Sequence, residues 1–164
     1  MKINGFELKS VKKFSGHEGE DCYRGNIFLN GKKVGAFESS YTMGPMNIRF
    51  NNDETQIEFN KTLRTYACNN PYGLLNEHKD FGSIVNIYDE ELFIIDMIGL
   101  KEVEKEYKTA CKDGYTIMTI STNGMIRTFL PVKNLVSVIG CHLAKEGEYP
   151  LHFIKSVDFF NIKV

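Results

Sequence analysis

The sequence predicts an α+β fold: an antiparallel sheet with an N-terminal hairpin, two to three helices packed on one face, and a second, C-terminal hairpin. Three observations predict it. Asn30-Gly31 separates two apolar runs, and two adjacent residues that tolerate positive φ are what a type I′ hairpin turn requires. Residues 54–67 carry apolar side chains at helical spacing directly after Asn52-Asp53, a pair suited to cap a helix. Ser121-Thr122-Asn123-Gly124 lies between two further strand-like runs and marks the second hairpin. The order strands, helices, strands is not the alternating βαβ pattern. No Gly-rich strand-to-helix turn is present, which argues against a dinucleotide fold.

The elements follow in order. Phe6, Leu8, Val11 and Phe14 give a loosely alternating first strand. Residues 23–29 form the second, with Ile27 and Leu29 on one face and Phe28 on the other. Residues 34–37 continue as the third, 39–45 are a loop of turn formers, and Met46, Ile48 and Phe50 alternate as a short fourth strand. The next helix carries Ile57, Phe59, Leu63 and Tyr66, and Asn69-Asn70-Pro71-Tyr72-Gly73 breaks it. Residues 74–83 show no decisive pattern. Residues 84–100 are too apolar for a solvated helix and are expected to be the main core helix, bent or ended by Gly99. Residues 101–112, KEVEKEYKTACK, read as a separate amphipathic helix closed by Asp113-Gly114. Residues 115–120 and 125–130 are the strands of the second hairpin, which Pro131 stops. Residues 135–144 read as a buried strand or a short helix, with helix the preferred reading. Residues 153–164 have strand composition, with Val157, Phe159 and Ile162 expected to be buried.

The length of 164 residues suits a single domain. It divides into an N-terminal sheet (1–50), a helical segment (53–113) and a C-terminal hairpin and tail (114–164). Lys and Arg total 20 against 21 Asp and Glu, so the chain lacks the basic excess that generic duplex binding requires. The start, MKINGFELKS, is polar and strand-like rather than a signal peptide. The longest apolar run, residues 92–100, is too short to span a bilayer. Cys22, Cys68, Cys111 and Cys141 share no CxxC spacing and read as reduced thiols. The expected location is therefore cytoplasmic, with no membrane partner.

The chain carries Lys12-Lys13-Phe14, Gly16-His17-Glu18-Gly19 and Gly31-Lys32-Lys33, and later a helix, a cysteine and a hairpin in succession around Cys111. On these motifs the chain resembles a loose group of small proteins encoded by phages, plasmids and other bacterial mobile elements. The resemblance covers the first quarter and the junction at Cys111. It implies a setting, that of an accessory protein acting on host factors, and not a mechanism.

The densest chemistry lies in Gly16-His17-Glu18-Gly19-Glu20-Asp21. Glu18, Glu20 and Asp21 are hard oxygen donors for a divalent cation, and His17 is a base near neutral pH. The calcium-loop and HExxH patterns are both absent. The plainer reading is a solvated connection between edge strands. Cys141-His142, with Cys22 and His17, offers zinc donor types without zinc spacing. Any of the four cysteines has a histidine to pair with among His17, His78, His142 and His152, so a nucleophile pair is unspecific. Asp96, within LFIIDMI, pairs with Arg64 or Arg127 if buried, or faces water on a polar stripe. Lys12, Lys13, Arg24, Lys32 and Lys33, with Phe14, Tyr23 and Phe28, supply charge and stacking for single-stranded nucleic acid. Hairpin lysines also serve to discourage edge-to-edge pairing.

The leading expectation is a non-catalytic interaction protein, a mobile-element accessory or inhibitor binding a host or element-encoded protein. Its binding residues are Glu18, Glu20, Asp21, Tyr41, Met43, Lys32 and Lys33, and no cofactor or metal is expected. The alternatives are a nucleic-acid-binding module and a small divalent-metal-dependent hydrolase or nuclease using His17, Glu18, Glu20 and Asp21 as catalytic residues.

Overall fold

Asn30 and Gly31 take φ of 49° and 85°, the left-handed pair that a two-residue hairpin turn needs. They join β3 (Asp21–Leu29) to β4 (Lys32–Glu38). Asn4 and Gly5 repeat the device at φ of 46° and 85° and join β1 (Lys2–Ile3) to β2 (Phe6–Ser15). The two turns abut: Asn30 N donates to Gly5 O at 3.0 Å. β5 (Asn47–Phe50) pairs with β4. This computed structural model describes residues 1–41, 44–69, 89–115, 117–121, 127–130 and 151–164.

The architecture is α+β. Among the described residues the main sheet has six strands, in the order β5-β4-β3-β2-β1 and then β9 (Asn161–Ile162). All neighbours are antiparallel except β9, which lies parallel to β1. The expectation of a purely antiparallel sheet is therefore corrected to a mixed one. A long connection brings the chain back to β1 from the far end, and parallel pairing needs such a connection. β6 (Ile117–Ser121) pairs antiparallel with β7 (Arg127–Leu130), as the second hairpin predicts, and on its other side with β8 (Leu151–Ile154). Residues 122–124 of the expected turn, the helix expected at 135–144, and residues 70–88 lie outside the described residues.

Among the described residues there are two α-helices. α1 (Asp53–Asn69) opens where Asn52 Oδ1 accepts from Thr55 N at 2.9 Å. It buries Phe59, Leu63 and Tyr66, whereas Ile57 is 68% exposed. Two residues from Phe59 is about 200° around a helix, so Ile57 falls on the far side. α2 (Glu90–Lys112) is one helix of 23 residues, opened by Asp89 Oδ1 accepting from Leu92 N and closed at Asp113-Gly114. The helix does not end at Gly99. A helical glycine costs about 1 kcal/mol, while each of the large side chains around it, Met97, Ile98, Leu100 and Val103, is buried and contributes about 1.5–3 kcal/mol.

The main core joins Ile3, Phe6, Leu8, Ile27 and Phe37 of the sheet to Phe59, Tyr66, Phe93 and Met97 of the helices. A second core holds Val103 and Tyr107 of α2 with Met118, Ile154 and Phe160. Val157 is 49% exposed, contrary to expectation. Residues Val157–Phe160 form a 3-10 turn rather than a strand, and that turn buries Phe160 instead.

A Cβ at Gly99 meets no atom within 4 Å, so Gly99→Ala should raise unfolding stability by about 0.5–1 kcal/mol, read by urea denaturation. Burial pushes the Tyr107 hydroxyl from 10 up to about 12, helped by its hydrogen bond with Cys111. A folded value above the unfolded one contributes stability that is full below pH 10 and is lost as pH rises from 10 through 12. Ultraviolet titration should show one tyrosinate appearing near pH 12 and missing in Tyr107→Phe.

Candidate functional site

The site begins with an irregularity in β2. Lys9 pairs with Asn26 and Lys12 with Arg24, so Ser10 and Val11 together oppose Gly25. This is a β-bulge, and Ser10 adopts φ of 53° to make it. A Cβ at Gly25 would stand 2.8 Å from the Phe37 ring and 3.3 Å from Lys9 O, so the strand opposite the bulge has no room for a side chain there.

The bulge reverses which residues face the helices. Before it, Phe6 and Leu8 enter the core; after it, Val11 packs against the core and Phe14 does not. The expectation that Phe14 follows Phe6 and Leu8 in one alternating series is corrected: the extra residue turns it to the outer face. There it opposes Cys22 and stacks on Tyr41 at 5.2 Å and 30°. The Arg24 guanidinium lies 5.9 Å from the Phe14 ring. Further along the same face the Lys9 ammonium sits 4.5 Å over Phe28, and Lys33 opposes Phe28 from β4. Tyr23 stays on the core side, opposite in sense to Phe28 as alternation predicts. A depression of about 320 Å³ beside Arg24 is lined by Lys12, Asn26 and Glu38.

The loop at 16–20 is tied down. Gly16 N donates to Glu20 O at 2.9 Å, and His17 N donates to Tyr41 O at 3.3 Å. Glu18 N donates to Glu20 Oε2 at 2.9 Å. The Glu20 carboxylate folds over Gly16, where any Cβ would collide with it. Asp21 pairs with Lys13 at 2.6 Å, and that contact raises the Lys13 ammonium pKa. His17 and Glu18 point to solvent. The structure thus does not gather His17, Glu18, Glu20 and Asp21 around one point. Among the described residues, no group of three or more His, Cys, Asp or Glu is placed to hold a metal ion.

The thiols are arranged no better for catalysis. Cys22 is buried, with Sγ 3.6 Å from Ser40 O. Burial, then the charges of Glu20 and Asp21, push its pKa up, the reverse of what activates a nucleophile. Cys68 and Cys111 are exposed free thiols. Met43, His78, Cys141 and His142 lie outside the described residues, as do the side chains of Arg127 and His152. Asp96 is half-buried on α2. Tyr41, Lys32 and Lys33 are exposed, and Tyr41 has 61% of its surface free. Lys9 was not among the expected site residues. The signal for it was the gap Leu8 to Val11, an odd spacing that a regular strand does not produce.

No family model, curated protein sequence or solved structure matches the chain.

Ser10→Val should lower stability by about 1 kcal/mol, because a β-branched side chain fits left-handed backbone worse than Ser does, whereas Ser10→Gly should hold or raise it. Thermal unfolding of the two variants beside the parent protein checks this.

Proposed function

We propose that the protein is a non-catalytic interaction protein that engages a partner protein through the outer sheet face around Phe14, Arg24 and Tyr41. One observation carries the reading: the bulge at Ser10-Val11 places Phe14 outside, where Arg24 and Tyr41 pack against it with their own surfaces still exposed. Tyrosine and arginine are the residue types that dominate the binding energy of protein interfaces. Arg24 stands on the paired strand β3, and Tyr41 is held by its stacking on Phe14 and by His17 N donating to its carbonyl, so little ordering entropy is lost on binding. The partner fits the setting that the mobile-element resemblance implies, a factor of the host or of the element itself.

A second reading is favoured by Lys9 over Phe28 and Arg24 over Phe14. With Lys12 and Lys33 nearby, the same face offers rings and cations in the arrangement that holds single-stranded nucleic acid.

Quantitative capture from the native host, with parent protein and an Arg24→Ala/Tyr41→Ala variant side by side, tests the first reading. The variant should lose the captured protein, with affinity down about thirtyfold or more, the scale of about 2 kcal/mol for interface anchors. Equal capture by both sinks it. Binding of a single-stranded oligonucleotide that weakens with salt, with a shallower salt slope in Lys32→Ala/Lys33→Ala, supports the second reading instead.

A further inference from the structure

On the helix side of the β2–β3 hairpin, a groove of about 630 Å³ separates Val11, Lys13 and Tyr23 from α2. Its walls carry five lysines against two glutamates. Four of the lysines, Lys101, Lys105, Lys108 and Lys112, come from α2 at spacings of four, three and four, which puts them on one side of the helix. The same side carries Ile94, Met97 and Ile98 in the first half of α2, where it is buried against the sheet. The helix face that is core at its start becomes cationic where it passes over the distal hairpin.

Folding does not call for this stripe. Like charges three or four residues apart on a helix cost about 0.2–0.5 kcal/mol per pair. Lys101 and Lys108 have internal roles: Lys101 Nζ donates to Leu8 O at 2.6 Å, and Lys108 pairs with Glu104 at 2.8 Å. Lys13 holds Asp21. Among the described residues, no ion pair is formed by Lys105 or Lys112, both exposed. Of the two acidic wall residues, Glu104 is already paired with Lys108 and the Met1 amine. The groove is left with a surplus of positive charge above an apolar floor.

We infer that this groove binds an extended acidic segment of a protein. The stretch of α2 from Ile98 to Lys112 runs about 21 Å at 1.5 Å per residue, which matches about six residues of extended chain at 3.3 Å each. Val11, Tyr23 and Ile98 in the floor suit apolar side chains alternating with the acidic ones. Glu102 in the wall opposes an unbroken run of phosphates and tolerates spaced carboxylates. Tyr23 is part of the floor and packs on the core, so no ring stands free for a base to stack on. The inference does not rest on the outer-face reading, since neither Phe14, Arg24 nor Tyr41 lines this groove.

The test is fluorescence anisotropy with a labelled peptide of about eight residues alternating Glu and Val, a matched Lys-Val peptide, and an oligothymidylate of similar length. The acidic peptide should bind, weaken as salt rises, and lose about tenfold or more in affinity with Lys105→Glu/Lys112→Glu, while Arg24→Ala/Tyr41→Ala leaves it unchanged. Circular dichroism of the double variant verifies the fold. Lys105→Ala, a substitution that favours the helix, should weaken binding in the same direction. No binding of the acidic peptide, undiminished binding by both lysine variants, or oligothymidylate binding that these variants abolish while the peptide is ignored would each overturn the proposal.

Discussion

Helix α2 serves two hydrophobic cores with two different faces, and the positions of both sheets depend on its remaining one continuous rod. In its first half Phe93 stands between Phe59 and Tyr66, with ring centroids 5.1 Å and 5.4 Å away, and Met97 and Ile98 complete the seal over the main sheet. In its second half Val103 and Tyr107 turn towards Met118, Ile154 and Phe160 beneath the smaller sheet. Because interiors are close-packed, a displacement at one end of such a helix is felt at the other. The helix also sets the surface chemistry. Where its first contact face runs beyond the core, a groove opens, and the residues along it are no longer held to be apolar.

The bulge in β2 is the second determinant, and a local one. One extra residue opposite Gly25 exchanges the two faces of the hairpin beyond it. Val11 and Lys13 go to the helix side, while Lys12 and Phe14 go to the outer side. Without it, alternation would carry Phe14 inward and Lys13 out to solvent. Both candidate surfaces therefore trace to the same short irregularity, which Ser10 sustains at φ of 53°.

What could be read from the sequence divides along this line between local and non-local causes. Asn30-Gly31 and the cap at Asn52 were legible because positive φ and free amide protons are demands made by a few adjacent residues. Asn4-Gly5 carries the same turn signal, but β1 is only two residues long and gives no alternation to frame it. The α+β class followed from these pieces. The continuation through Gly99 did not, because a weak local penalty was outweighed by packing on both sides. The course of the chain after β8 was equally hidden, since β9 is defined by a partner at the opposite end of the chain. For the candidate sites, residue types were visible and faces were not. Phe14, Arg24 and Phe28 were recognisable as a set, yet Phe14 joins the face of the other two only through the bulge at Ser10-Val11. The lysine spacing in KEVEKEYKTACK was in plain view, but its meaning depends on which side of α2 leaves the core. Glu20 looked like a free ligand until its carboxylate was found folded over Gly16.

The parallel pairing of β1 with β9 is secured by reciprocal hydrogen bonds between Asn4 and Val164, both at 3.0 Å and across 160 positions of sequence. Its consequence is one of timing during synthesis. The hairpins of the N-terminal sheet close over short loops and are able to form early, whereas the contact with β9 must wait for residues 161–164 to leave the ribosome. Until then β1 presents an unpaired edge to its surroundings, open to strands from other chains. A two-residue strand is a poor template for such pairing, so its brevity limits what that edge can recruit.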